Sequence, residues 1–198
     1  MSGGKGARAR RSKAQNVSLL AMMTALAFAL SWIEGMFPPI SGVAPGIKLG
    51  LANVVVLIML YIGSFTQAAA VSLARVFIAG LVFAGPSALL FSLAGGVLSL
   101  LTMAAARRLG WFSPLGVSML GGVFHNVGQI VMAMWVLRSA LLIGYLPALL
   151  VAGALTGAAT GLVAAGALRY FNSLPPRIGG GRKKAGDALP STEREDAE

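Results

Sequence analysis

Six runs of apolar side chains alternate with short polar or turn-forming segments along the chain. The runs cover approximately residues 17–37, 49–63, 66–84, 86–107, 115–137 and 144–170. A helix of about 20 apolar residues crosses the hydrocarbon core of a bilayer, and most of these runs reach that length. Pro and Gly mark the boundaries between them, as at Pro38-Pro39 and Gly85-Pro86. The pattern predicts an all-α polytopic membrane protein with six transmembrane helices in one bundle.

The run at 49–63 is the shortest and is rich in Val, Leu and Ile. We expect this helix to tilt little or to have one end buried in protein. The first run is too long for the apolar core of a typical signal peptide, and the segment MFPPISG after it has no clear small-x-small cleavage site. We therefore expect a retained first helix. The predicted organisation is a disordered basic tail at 1–14, a membrane domain at 15–171 and a disordered tail at 172–198.

Composition strengthens the membrane assignment. Hydrophobic residues make up 57% of the chain and charged residues only 11%, with a mean hydropathy of +0.80. A soluble domain carries about a quarter charged residues. Cysteine is absent from the sequence, which excludes a disulfide framework and a thiolate metal site.

The net charge of +10 lies mostly at the two ends of the membrane domain. Five Lys or Arg residues precede the first run, and six lie between residue 169 and the C-terminus. No aromatic residue lies among the N-terminal five. Basic flanks of this kind are typical of topology signals and contacts with anionic lipid, so we expect no nucleic-acid partner. The N-terminal tail, the Arg107-Arg108 loop and the C-terminal flank fall on one side of a six-span protein. The positive-inside rule then predicts cytoplasmic termini in the bacterial plasma membrane.

Carboxylates are nearly absent from the hydrophobic body. Glu34 is the only one before Asp187, which argues against paired-carboxylate catalysis and against a magnesium site built from several aspartates. His125 is the only histidine, so it lacks the partners that a metal site or a hydrolytic triad requires. We therefore predict no catalytic residues, no metal and no cofactor.

Polar residues within predicted spans are costly and are candidates for function. Arg75 is the deepest ion, and on the fifth run His125 and Gln129 share one helix face beside Asn126. All the polar candidates fall in the outer half of the bundle and predict an outward-facing pocket for a small polar or anionic solute. The candidates are Glu34, Lys48, Asn53, Arg75, His125, Asn126 and Gln129. A structural alternative stays open, in which Glu34 and Lys48 form an ion pair and the amides serve as interhelical hydrogen-bonding groups.

Small residues recur at four-residue spacing on two helices, which allows close approach of backbones. One set is Gly153, Gly157 and Gly161, for which intramolecular packing is the favoured interpretation. The other set is Ala21, Ala25 and Ala29, for which packing and docking of a partner remain equally open.

Four segments of the chain resemble a known family. They are PGIKLGLANVV at 45–55, SLARVFIAG at 72–80, LAGGVLSLLTM at 93–103 and SMLGGVFHNVGQIVMA at 118–133. In this order they resemble the Gx transporter family, also named heptaprenyl diphosphate synthase component I. That family is similar to the substrate-binding S components of energy-coupling factor transporters, and the likeness covers about residues 18–170.

The resemblance implies a six-helix protein that captures a solute from outside and acts with a transmembrane coupling subunit and two ATPases. It implies that Ala21, Ala25 and Ala29 dock on that subunit. It also implies that the Lys48–Asn53, Arg75 and His125–Gln129 positions form the ligand pocket. The chain has no Walker A sequence, so ATP hydrolysis would belong to partners.

The synthase name conflicts with catalysis by this chain, because prenyl diphosphate synthases bind magnesium-diphosphate with aspartate-rich helices. The first hypothesis is therefore uptake of a small polar or anionic solute, such as an isoprenoid- or quinone-related precursor. The second is a membrane accessory subunit of heptaprenyl diphosphate or quinone biosynthesis. The third is a proton-coupled carrier in which His125 titrates.

Overall fold

In this computed structural model the described residues are 12–36, 48 and 50–173, and they form helices without any strand. A π-helical segment, Gly80–Ala84, joins the third and fourth helices, and a 3₁₀ segment, Ala140–Tyr145, precedes the sixth. The α-helices are α1 (Lys13–Met36), α2 (Asn53–Ile62), α3 (Phe65–Ala79), α4 (Gly85–Leu109), α5 (Pro114–Leu137) and α6 (Leu146–Ser173). They agree with the six predicted apolar runs to within five residues at each end, which confirms the all-α fold class. Most of the predicted tails at 1–14 and 172–198 lies outside the described residues.

Four stretches of the described chain are long and apolar enough to cross a membrane. They are Lys13–Met36, Phe65–Leu109, Pro114–Leu137 and Ala140–Phe171. At 10 residues, α2 is much shorter, spanning about 15 Å at 1.5 Å per residue. These long apolar helices are consistent with a membrane protein.

The 45-residue stretch Phe65–Leu109 folds back on itself. Gly85, with φ 79° and ψ 171°, adopts a backbone conformation that glycine tolerates and other residues rarely reach. A Cβ built on Gly96 in α4 would lie 3.4 Å from the Ser72 hydroxyl in α3. In a single straight helix these two residues would be about 36 Å apart. The stretch is therefore an antiparallel hairpin of α3 and α4, which turns at Gly85.

Glycine allows α5 to contact both of its neighbours at backbone distance. A Cβ on Gly128 would lie 2.7 Å from the Ala94 carbonyl oxygen of α4, and one on Gly122 would clash with the Gly153 carbonyl oxygen of α6. On α6, a Cβ on Gly157 would be 2.7 Å from the Ser118 carbonyl oxygen. The Gly153, Gly157 and Gly161 row thus packs within the chain, against α5, as the spacing predicts.

The short helix α2 lies at the centre of the bundle and contacts all five other helices. Every residue from Asn53 to Leu60 is buried. Because α2 is surrounded by protein, its sequence is apolar on all sides and shows no single hydrophobic stripe.

Ionisable side chains from other helices bind the two ends of α2. At its start, the Glu34 carboxylate accepts hydrogen bonds from the Gly50 and Leu51 N–H groups. At its end, the Arg107 guanidinium donates to the Leu60 carbonyl oxygen and lies 4.7 Å from the centre of the Tyr61 ring. An anion at the N-terminal end and a cation at the C-terminal end both complement the helix dipole.

Arg107→Met should destabilise the protein by about 1–3 kcal/mol, because it removes a charge-assisted hydrogen bond to the end of α2 and a cation–π contact. Arg108→Met is the matched control, since Arg108 is the neighbouring residue of α4 and is exposed. Thermal unfolding of both variants in the same detergent measures the difference. Equal melting temperatures for the two variants would contradict the capping role of Arg107.

Candidate functional site

Buried polar side chains from α1, α3, α4 and α5 converge on the N-terminal end of α2. We call this group the polar centre. It consists of Ser31, Glu34, Lys48, Asn53, Arg75, Ser99, His125 and Gln129. All of them except Lys48, which is half-buried, have less than 9% of their surface exposed.

Glu34 is committed to the backbone at the start of α2. One carboxylate oxygen lies 2.5 Å from the Gly50 nitrogen and the other lies 3.2 Å from the Leu51 nitrogen. The first N–H groups of a helix have no partner within the helix, so a carboxylate from α1 satisfies them. Both oxygens of Glu34, the only carboxylate in the hydrophobic body, thus accept hydrogen bonds from the backbone at the start of α2.

Arg75 joins three helices through its guanidinium. Nη1 donates to the Ser31 hydroxyl of α1 at 3.2 Å, and Nη2 donates to the Asn53 Oδ1 of α2 at 3.2 Å. Asn53 then donates through Nδ2 to the Ser99 hydroxyl of α4 at 3.3 Å. Neither direct partner of Arg75 is charged, so these bonds hold the cation without neutralising it.

His125 and Gln129 form the α5 wall of the polar centre. Gln129 Oε1 accepts a hydrogen bond from the Lys48 backbone nitrogen at 3.1 Å, and the His125 ring is hydrogen-bonded to the Gly95 backbone in α4. Gly50, with φ +87°, brings the chain close to this wall, since a Cβ there would lie 3.0 Å from His125 Cδ2 and 2.9 Å from Asn53 Nδ2. The approach to α2 therefore requires glycine at position 50.

The Lys48 side chain lies between Glu34 and an aromatic ring. Its ammonium is 4.9 Å from the centre of the Phe83 ring, a distance typical of a cation–π contact. Lys48 is half-buried, so its ammonium is partly removed from solvent.

Several buried polar atoms have no hydrogen-bond partner among the described residues. They are Arg75 Nε, His125 Nδ1, Asn126 Oδ1 and Gln129 Nε2. A buried polar atom without a partner costs about 1–3 kcal/mol. Arg75 Nε and Gln129 Nε2 are both donors, so the polar centre has spare capacity for an acceptor such as an anion.

A closed, narrow cleft adjoins the polar centre on its α3–α4 side and has no room for a water molecule. Its polar lining residues are Ser31, Lys48, Arg75 and Ser92, and its other lining residues are apolar or glycine. Among the described residues, no group of three or more His, Cys, Asp or Glu could hold a metal ion. What the arrangement offers is therefore positive charge and hydrogen-bond donors in a protected space.

The structure brings six of the seven predicted ligand residues into the polar centre. The exception is Asn126, which donates through Nδ2 to the Leu149 carbonyl oxygen of α6 at 2.7 Å. Asn126 therefore faces the α5–α6 contact rather than the polar centre. A ligand-binding role for any of the seven stays a prediction.

Sequence analysis missed the serines of the polar centre and its cleft. Ser31 lies one helical turn before Glu34, so the two share a face of α1, and this spacing was a usable signal. Ser92 and Ser99 lie two turns apart on α4, within a run of apolar and glycine residues in which single serines give no distinct signal.

The predicted docking residues Ala21, Ala25 and Ala29 are all exposed on α1. Ala21 and Ala25 line an open groove of about 490 Å³ between α1 and α3, together with Ala70 and Ala74. The small side chains leave room on this surface for another helix, and docking of a partner there stays a prediction.

The sequence profile of the family described as heptaprenyl diphosphate synthase component I matches residues 23–167, which is more than half of the chain. This chain belongs to that family. No curated protein and no solved structure matches it.

The family match confirms the synthase component I resemblance that the four sequence segments carry. It covers α2, α3, α4 and α5 completely, together with the part of α1 from residue 23 onward. The match thus includes every residue of the polar centre. The family name describes one component of a synthase, which is consistent with a partner subunit. The likeness to S components of transporters stays a prediction.

Glu34→Ala should destabilise the protein by about 3–5 kcal/mol, because two N–H groups and two cations then lose their only nearby carboxylate. Glu34→Gln should cost less, since its amide oxygen still accepts one hydrogen bond. Melting temperatures in detergent should therefore fall in the order native, Gln, Ala. A Glu34→Ala protein as stable as the native one would show that the carboxylate does not hold α2.

Proposed function

We propose that this protein is a non-catalytic membrane component of heptaprenyl diphosphate synthesis, which holds a small anionic isoprenoid-related solute in its polar centre. The observation that carries this proposal is the position of Glu34. Both of its oxygens are bound to the start of α2, so within the part of the chain that the structure describes no carboxylate is free to act as an acid, a base or a metal ligand. Arg75 and Lys48 remain beside it as cations.

The reaction chemistry belongs to a partner. The sequence has no aspartate before Asp187, whereas prenyl diphosphate synthases bind magnesium-diphosphate through aspartate-rich helices. The family name, which describes component I of a synthase, fits a division of labour between a membrane subunit and a catalytic subunit.

Charge favours an anionic solute. The polar centre holds two cations, Lys48 and Arg75, against one carboxylate, and the adjoining residues 37–47 and 49 carry no charged side chain. A buried excess of positive charge is unfavourable in a low-dielectric site. A bound anion would accept hydrogen bonds from Arg75 Nε and Gln129 Nε2 and would compensate that charge.

A second candidate is uptake of the same solute across the membrane, in the manner of S components. The location of the polar centre favours it. The centre lies at the end of the bundle where α1 ends and α2 begins, opposite Arg107 and Arg108 at the end of α4. Under the positive-inside rule that end faces outward. In this mode Ala21, Ala25 and Ala29 would dock on a coupling subunit that acts with ATPases.

Both candidates place the chain in the plasma membrane with six crossings. The α3–α4 hairpin supplies two of the crossings and the short helix α2 supplies one. The helices α1, α5 and α6 supply the other three. Lys13 and Arg169 then lie on the cytoplasmic side with the Arg107-Arg108 loop.

A topology test follows from this arrangement. Reporter fusions at the N-terminus, after Leu109 and at the C-terminus should all report cytoplasm, and a fusion at Gly85 should report the outside. The paired use of a cytoplasm-active and an outside-active reporter controls for expression. A fusion at Gly85 that reports cytoplasm would contradict the hairpin as a membrane-crossing unit.

The synthesis role predicts that membranes containing the protein raise heptaprenyl diphosphate formation by the soluble synthase subunit of the same organism. Arg75→Ala and His125→Ala should lose most of that increase because they dismantle the anion-binding side of the polar centre. Mass spectrometry of the prenyl products measures the amount of heptaprenyl diphosphate formed. Gly166→Ala is the control, since a Cβ at Gly166 meets no neighbour within 4 Å.

Detergent-solubilised protein separates the two candidate functions. An accessory subunit should still stimulate synthesis when all substrates are supplied in solution. An uptake protein should act only in closed vesicles with the solute outside. Stimulation that survives both substitutions would contradict a role of the polar centre in synthesis.

A further inference from the structure

The closed cleft beside Arg75 adjoins a second space with different chemistry. An open groove of about 630 Å³ lies on the surface of the α3–α4 hairpin. It is lined only by apolar and glycine residues: Gly80, Leu81, Val82, Phe83, Gly85, Pro86, Leu89 and Leu90. Its volume is within the range of small-molecule pockets.

The cleft and the groove share two wall residues, Gly80 and Leu89. These two residues touch, because a Cβ on Gly80 would lie 2.5 Å from Leu89 Cδ1. The groove therefore lies directly beside the narrow cleft that Arg75 and Lys48 line.

The segment beside this contact is π-helical. Residues Gly80–Ala84 form a wider turn than an α-helix, and such turns occur frequently at functional sites. Phe83, within the π segment, lines the groove and also carries the Lys48 ammonium above its ring. One aromatic side chain thus contacts both the apolar space and a cation of the polar centre.

We propose that the groove binds one amphiphile, with its apolar isoprenoid-like chain in the groove and its anionic head at the Lys48 ammonium, which lies over the Phe83 ring. This inference rests on the proposed function and specifies its ligand. Leu81 and Val82 are 81% and 64% exposed, so the groove is open to an apolar chain from outside the bundle.

Charge counting selects the head group. Arg75 and Lys48 against Glu34 leave one positive charge, which a head with a single negative charge balances. A diphosphate carries further negative charge, and the described residues offer no metal group to compensate it. The site therefore favours a carboxylate or another singly charged head over a diphosphate.

Three ligands with one ten-carbon chain test this inference. They are geranic acid, geraniol and geranyl diphosphate, which have a singly charged, a neutral and a multiply charged head. Binding is measured by competition with radiolabelled geranic acid on full-length protein in nanodiscs, with empty nanodiscs as the background. Geranic acid should bind about tenfold or more tightly than geraniol, as one charge-assisted hydrogen bond provides, and more tightly than the diphosphate.

Two substitutions locate the head and the chain. Lys48→Met keeps the apolar stem and removes the charge, so geranic acid should lose its advantage over geraniol. Lys48→Arg should retain that advantage, which controls for folding. Leu89→Phe should weaken binding by filling part of the groove that Leu89 lines, whereas Leu89→Ala should preserve or strengthen it.

Each contrary result is decisive. Geranic acid that binds no better than geraniol overturns the head assignment. Isovalerate, a five-carbon acid, binding as tightly as geranic acid overturns the chain assignment, because the groove would then add nothing. Stimulated synthesis together with absent geranic acid binding would leave the proposed function intact and refute the amphiphile alone.

Discussion

The fold depends on satisfying the ends of one short helix. With 10 residues, α2 covers about half of a bilayer core of roughly 30 Å, so its free N–H and C=O groups cannot both reach water. Backbone groups without partners in hydrocarbon cost several kcal/mol each. Other helices must therefore supply an acceptor at one end and a donor at the other, and Glu34 and Arg107 do so. This requirement places α2 at the centre, where α1 and α4 can reach its two ends.

The same requirement shapes the chemistry of the polar centre. Using Glu34 to bind the start of α2 leaves the guanidinium of Arg75 with neutral partners only, Ser31 and Asn53. The positive character of the centre is thus a direct consequence of how α2 is held.

The hydrophobic pattern predicted the helices well because each run is long, bounded by Pro or Gly, and much more apolar than its flanks. It could not predict that α2 is buried on every side, since an all-apolar run fits contact with lipid as well as contact with protein. The sequence also could not predict that Glu34 binds backbone N–H groups. Nearly every residue carries such a group, so no residue type indicates which of them a side chain will bind. The direction of Asn126 depended on where α6 packs on α5, and glycine spacing alone does not fix that rotation.

A structural role alone is a weak account of the polar centre. Well-packed apolar side chains in place of a buried ionic group are often equally or more stable, so stability does not require Arg75 and His125. Among the described residues, the centre also keeps donors without partners, Arg75 Nε and Gln129 Nε2, at a cost of about 1–3 kcal/mol each. Glycines at positions 95, 122 and 128 hold α5 against α4 and α6 at backbone distance, which leaves α5 little freedom to turn and satisfy them. Unsatisfied donors on a rigid wall, beside two cations that share one carboxylate, are the features that support the proposal of an anionic ligand.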